Sequence, residues 1–165
     1  MAIGEWFQKE LDREADSTRR LLRRVPAKWL NWRPHRKSMT MGVLAAHLAE
    51  TLDWGMVILT QDRQDLDPDK YKPLKPKSVK EVLALFDKGL ARFREALGRL
   101  SDEQMLAPWT LAVKGQTVFT MARGAVLRSM IFNHIVHHRG QLTVYLRLKN
   151  VPLPPIYGPT ADENV

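Results

Sequence analysis

The chain contains no cysteine. Disulfides, thiolate zinc ribbons and a cysteine nucleophile are therefore excluded, and any thiol chemistry needs a thiol carried in by a substrate. Long apolar runs are also missing. No stretch is expected to reach the ~20 residues that span a bilayer; even Phe119–Val136 is broken by Arg123 and Arg128. No N-terminal segment has the basic, apolar and small-residue order of a signal peptide. The expectation is a soluble cytoplasmic protein with no membrane partner. Repeats and long linkers are absent as well, so residues 1–165 read as a single domain, long enough for one sizeable core.

Acidic residues are in short supply, 18 against 26 Lys and Arg, for a net charge of +8. The excess is not massed on one element. Residues 1–37 carry ten bases and five acids, residues 38–69 one base and six acids, and residues 70–100 nine bases and three acids. Charge spread this way is the solvated surface of helices, and nucleic acid is not an expected partner.

What remains is strongly helical in pattern. Ile3, Phe7, Leu11, Ala15, Thr18 and Leu22 recur at helical spacing, and Pro26 ends that helix. A connector, Pro26–Met39, holds Trp29 and Trp32 as anchors and His35 as an exposed loop residue. Thr40 or Ser38 caps a second helix through Gln61, whose core stripe is Leu44, His47, Thr51, Trp54 and Ile58. Asp62–Lys77 reads as an exposed loop. Ser78, with Glu81 at the capping-box offset, starts a third helix closed near Gly98. Ser101–Met105 reads as a short helical turn, and Pro108–Thr120 as a small hairpin or extended loop around Lys114-Gly115. The last long helix runs from about Thr120 to Lys149, with Gly124 and Gly140 inside it for close packing. The tail from Asn150 holds four of the ten prolines and cannot be helical. The fold class is all-α, and four long helices pack most simply as a four-helix bundle.

Three of the five histidines lie on the last helix. His134 and His138 are four residues apart and share a face with Leu127, Ile131, Gln141 and Tyr145, while His137 flanks them by about 60°. Imidazoles at i and i+4 can close on one metal ion, although histidines on an apolar helix are also often satisfied by hydrogen bonds alone. His47 favours the metal. An imidazole inside the core stripe of another helix needs a partner or bears the cost of desolvation, and it is the third donor the pair lacks. Glu50 and Asp53 could act as a supporting group or general base, or lie at the surface. Gln141 is placed to orient a ligand histidine or a bound group. Arg139 faces a neighbouring helix or an acidic partner, with a substrate anion as the other option. Tyr145 and Tyr157 line the pocket or pack in the core.

HLAETLDW at 47–54, NHIVHHRGQL at 133–142 and VPLPPIYGPTADE at 151–163 together resemble the DinB family (DinB/YfiT-like), and the likeness runs through nearly the whole chain. The resemblance implies up-down-down-up connectivity of the four-helix bundle and a homodimer. It implies a divalent metal, nickel or zinc, on His47, His134 and His138. His137 is not a ligand in that pattern and becomes pocket wall or a support for a ligand; His137 and Gln141 are then the candidates for catalytic roles. It further implies a metal-dependent enzyme on a small-molecule substrate: a transferase or isomerase using a low-molecular-weight thiol cosubstrate, or a hydrolase. The alternative is a non-catalytic metal-bearing, stress-related binding module.

Overall fold

The first four α-helices each begin where a side chain takes up a free backbone N–H. The computed structural model describes residues 1–164. The first helix, α1 (Ile3–Arg23), has no local capping side chain; Asp102, remote in sequence, accepts the Ile3 N–H at 2.7 Å. Its buried face includes Phe7, Leu11, Ala15, Thr18 and Leu22, the expected stripe. The connector packs down as expected, with Trp29 and Trp32 against the core and the Lys149 ammonium 4.2 and 4.1 Å from their ring centres. The Thr40 hydroxyl accepts from Val43 N–H and opens α2 (Met41–Thr60).

Contrary to the expectation for apolar runs, α2 is long and apolar enough to cross a bilayer. Most of its length is buried, however, and it packs on the helices over Val79–Leu97 and Asn133–Arg147, as a core helix does. The α2–α3 contact is close because Gly55 offers no side chain: a Cβ there would lie 2.5 Å from the Phe93 ring. Ser78 caps α3 (Val79–Leu97) by accepting from Glu81 N–H, but the Glu81 carboxylate reaches back to Lys77 N–H at 2.7 Å, one residue short of a full capping box. Gly98 ends α3 with φ −76°, so it is not the left-handed cap its position suggests. Ser101 and Gln104 complete a capping box at α4 (Asp102–Leu106).

The expected hairpin is present: β2 (Pro108–Val113) and β3 (Gln116–Ala122) pair antiparallel. Lys114 at φ 49° and Gly115 at φ 82° form the two-residue turn, which needs positive φ at both positions. The all-α expectation requires correction. Arg63–Leu66, expected as loop, is a strand, β1, pairing parallel with β2, so a three-stranded sheet joins a mostly helical fold. A four-residue strand reading RQDL has little β signal of its own; the 2.9 Å bonds from Thr110 N–H to the Asp62 carbonyl, just before it, and from Lys114 N–H to the carbonyl of its last residue, Leu66, fasten it to β2.

The last helix begins at Arg123, and it is not uniform. α5 (Arg123–Leu127) passes through a π-helical turn, Arg128–Phe132, into α6 (Asn133–Arg147). Arg123 is buried and donates to the carbonyls of Ile58, Gln61 and Gln104 and to Asp62, fastening the end of α2 to the start of α5. Gly140 was expected to mediate close packing, but a Cβ there would meet nothing within 4 Å; Gly124 has ordinary contacts. One core cluster draws on all the long helices and the sheet. The segment after Asn150 has no helix or strand among the described residues.

Candidate metal centre

The π turn sets the direction in which α6 presents its side chains. One residue more per turn than an α-helix rotates the downstream face by about 100° relative to the upstream one. Ile131 and Phe132 stay in the core, and the next turn of α6 aims His134 and His138 at α2. His47 meets them there.

The three rings form one cluster. Their centroids are 5.0 Å (His47–His134), 4.6 Å (His47–His138) and 4.5 Å (His134–His138) apart. His47 Nε2 and His134 Nε2 are 2.8 Å apart, a separation at which two nitrogens share either a proton or a cation. One ligand atom from each residue lies within 4.8 Å of the other two. Metal–nitrogen bonds of about 2.1 Å put any two donors within ~4.2 Å, so a small ring rotation closes the trio on one ion.

The chemistry of the donors agrees with that geometry. Burial first, then the neighbouring His138 charge, lowers the His47 pKa to about 4. Burial, with His138, His47 and His137 adding, lowers His134 to about 4. His138 is also lowered, mainly by burial, with the Gln141 hydrogen bond opposing. All three are neutral at physiological pH, the state a metal needs. The His138 Nδ1–H donates to Gln141 Oε1 at 2.7 Å, which leaves the Nε2 lone pair free. His47 Nδ1 is buried with no partner, a cost of about 1–3 kcal/mol that a strong interaction at Nε2 offsets. The residues fit a divalent ion.

The other expected residues separate cleanly. His137 is exposed and rests its ring on His138 at 4.8 Å, outside the trio. His35 is exposed in the connector, its Nδ1 accepting from Lys37 N–H. Arg139 is 1% exposed and spends its guanidinium on Glu14 (2.5 Å), Tyr157 Oη (2.6 Å) and Thr18, which removes it from substrate binding. Tyr157 is occupied in that cluster, and Tyr145 donates to Met39 carbonyl at 3.2 Å, so neither lines the site. Asp53 pairs with Arg92 on the surface. Glu50 is half-buried, and burial, with Asp53 adding, holds its carboxyl above the usual range.

Trp54, expected only in the core stripe of α2, borders the trio, and Tyr71, for which the sequence sets no role, packs behind it. Trp54 stands edge-on to His47 at 5.6 Å and 6.3 Å from His134, and Tyr71 packs edge-on against Trp54 at 5.9 Å. The Tyr71 hydroxyl is pushed up by burial and by Glu50. Its one sequence signal was a lone aromatic inside a Lys- and Pro-rich loop.

A model of the DinB superfamily matches residues 10–142. An uncharacterized protein of Bacillus subtilis (strain 168), YrdA, is 27% identical over 157 residues, covering 95% of this chain and 89% of its own. A DinB-like protein of Bacillus cereus ATCC 10987 shares the fold at TM-score 0.69 and 24% identity, over 93% of this chain and 97% of that one. A DinB-like protein of Bacillus subtilis, YjoA, does so at TM-score 0.68 and 18% identity, over 91% and 96%. With four-fifths of its length matched by the family model and its fold shared with these relatives, the chain belongs to the DinB superfamily.

Proposed function

We propose that the chain is a metal-dependent enzyme acting on a small molecule, with His47, His134 and His138 holding one divalent ion, zinc or nickel. The observation that carries this reading is the meeting of three neutral imidazoles from two helices, with the Nε2 atoms of His47 and His134 2.8 Å apart across 87 residues of sequence. We read the four long helices as an up-down-down-up four-helix bundle that presents this centre, and a homodimer as the assembly. The exposed apolar ridge of Val136 and Val144 on α6 and Leu148 at its C-terminal cap supports the dimer.

When bound, the ion supplies Lewis acidity and lowers the pKa of a water or a small thiol. Gln141 holds the His138 tautomer and so orients one donor. Trp54 screens His47 and His134 from water on one side, and Tyr71 extends that screen. Glu50, one turn beyond His47 and already biased toward its protonated form, is the group to hold or release a proton at the site. No carboxylate joins the trio among the described residues, so three protein donors leave coordination positions for a small molecule. Since the chain has no cysteine, a thiol reaction requires a cosubstrate thiol.

Elemental analysis of protein purified without a metal-affinity tag tests the site. About one divalent ion per chain is expected, lost in each of His47→Ala, His134→Ala and His138→Ala. Unchanged stoichiometry in any one rejects that ligand. Turnover that requires added low-molecular-weight thiol selects transfer or isomerisation; turnover without it selects hydrolysis.

A further inference from the structure

The segment between β1 and α3 is fixed at its two ends and free between them. At the first end the Lys70 N–H donates to the Asp67 carbonyl at 3.0 Å, and Asp69 pairs with Lys114 of the hairpin turn. At the other, the Lys77 N–H donates to the Glu81 carboxylate at 2.7 Å. Among the described residues, 71–76 form no hydrogen bond and no ion pair, by backbone or side chain. Pro73 and Pro76 stiffen the piece, so it moves on its ends as a unit.

Packing is loose there as well. Tyr71 and Leu74 are each 44% exposed. Leu74, Lys75 and Pro76 line a half-open space of about 260 Å³ with Ala46, Val82 and Leu85. The link to the histidines is aromatic: Tyr71 packs edge-on against Trp54 at 5.9 Å, and Trp54 lies 5.6 Å from His47 and 6.3 Å from His134. The trio itself is closed. His47 and His138 are 6% and 8% exposed, so a molecule larger than an ion reaches them only if a neighbour moves.

Segments with few hydrogen bonds and little burial open at low free-energy cost, and active-site lids are drawn from them. We propose that residues 71–76 are a lid on the metal centre and that Tyr71 is its latch. Seated on Trp54, the Tyr71 ring keeps the indole against His47 and His134; lifted, it lets the indole turn aside and admits the ion and a small molecule. The turn has room, because Trp54 also borders a half-open space of about 190 Å³ beside β1 and β2. Tyr71 is a positioning residue that acts through Trp54. The inference rests on the proposed metal centre for what the lid admits; the motion itself needs no metal.

Tyr71→Ala removes the latch and Tyr71→Phe keeps its ring. Both changes fall in a segment without hydrogen bonds, so neither threatens the fold. Loss of one edge-on aromatic pair raises the open population about three- to tenfold. Zinc-loaded Tyr71→Ala is therefore expected to give up its ion to excess chromophoric chelator about three- to tenfold faster and to rebind zinc faster by the same factor, with equilibrium affinity within about twofold of the parent. Tyr71→Phe should match the parent in both rates. Unchanged rates in Tyr71→Ala would overturn the inference. So would faster loss with unchanged rebinding, the mark of a side chain that only stabilises the site, or a Tyr71→Phe variant as fast as Tyr71→Ala. A metal-free readout separates the lid from the metal reading. Carbethoxylation of the three histidines by diethyl pyrocarbonate after chelation, followed by mass spectrometry, should accelerate about three- to tenfold in Tyr71→Ala and stay at the parent rate in Tyr71→Phe. A chain that binds no zinc but shows this pattern sinks only the metal centre, and one that holds zinc on the three histidines without it sinks only the lid.

Discussion

Gln141→Ala isolates the part of the proposed metal centre that rests on one hydrogen bond. Gln141 Oε1 accepts the His138 Nδ1–H at 2.7 Å, and that bond fixes which nitrogen offers a lone pair. Without it, His138 populates both neutral tautomers and its ring loses a positional restraint. Removing such a support costs 10- to 100-fold in metal affinity in proteins generally. Gln141 is exposed, so water replaces part of the bond, and the expected loss lies near the low end: about tenfold, or ~1.4 kcal/mol. Competition with a chromophoric chelator at neutral pH and fixed ionic strength measures it. Gln141→Glu supplies the control, because a carboxylate can only accept; affinity should be kept or improved. If Gln141→Ala binds metal within about twofold of the parent, or if Gln141→Glu loses as much as Gln141→Ala, then Gln141 does not set the tautomer, and the reasoning fails.

Acid should destabilise the metal-free protein in a defined window. Burial keeps His47 and His134 neutral down to about pH 4, whereas unfolded histidines protonate near 6.5. The unfolded chain therefore takes up protons first, and stability falls as pH drops from about 6.5 toward 4, with no effect above. For His47 the loss at pH 5 is about 2 kcal/mol, read from urea midpoints after chelation. A His47→Leu variant should lose correspondingly less; an equal loss would show that the titrating groups lie elsewhere. Glu14→Gln leaves the buried Arg139 guanidinium without its carboxylate and should cost about 3–5 kcal/mol, with metal content unchanged in the protein that remains folded. His137→Ala and His35→Ala should retain metal; loss of the ion in His137→Ala would replace the assigned ligand set with the 134/137 pair.

The sequence by itself determined whatever depends on neighbours a few residues away. Helical repeat alone puts His134 and His138 on one face, and a buried stripe containing His47 marks an imidazole in need of a partner. The caps at Thr40, Ser78 and Ser101 and the Lys114-Gly115 turn are local hydrogen-bond and φ requirements, legible for the same reason. Tertiary structure decided the rest. β1 exists because β2 lies beside it, nearly fifty residues later. Arg123 reads only as a break in an apolar run until the carbonyls of α2 take it up, and the acidic partner expected for Arg139 becomes Glu14 only when α1 packs against α6. The π turn leaves the apolar pattern intact while changing where the next face points. Periodicity records which side of a segment is apolar; which other segment meets that side is set by packing between distant parts of the chain, and the histidine trio with Trp54 beside it is made there.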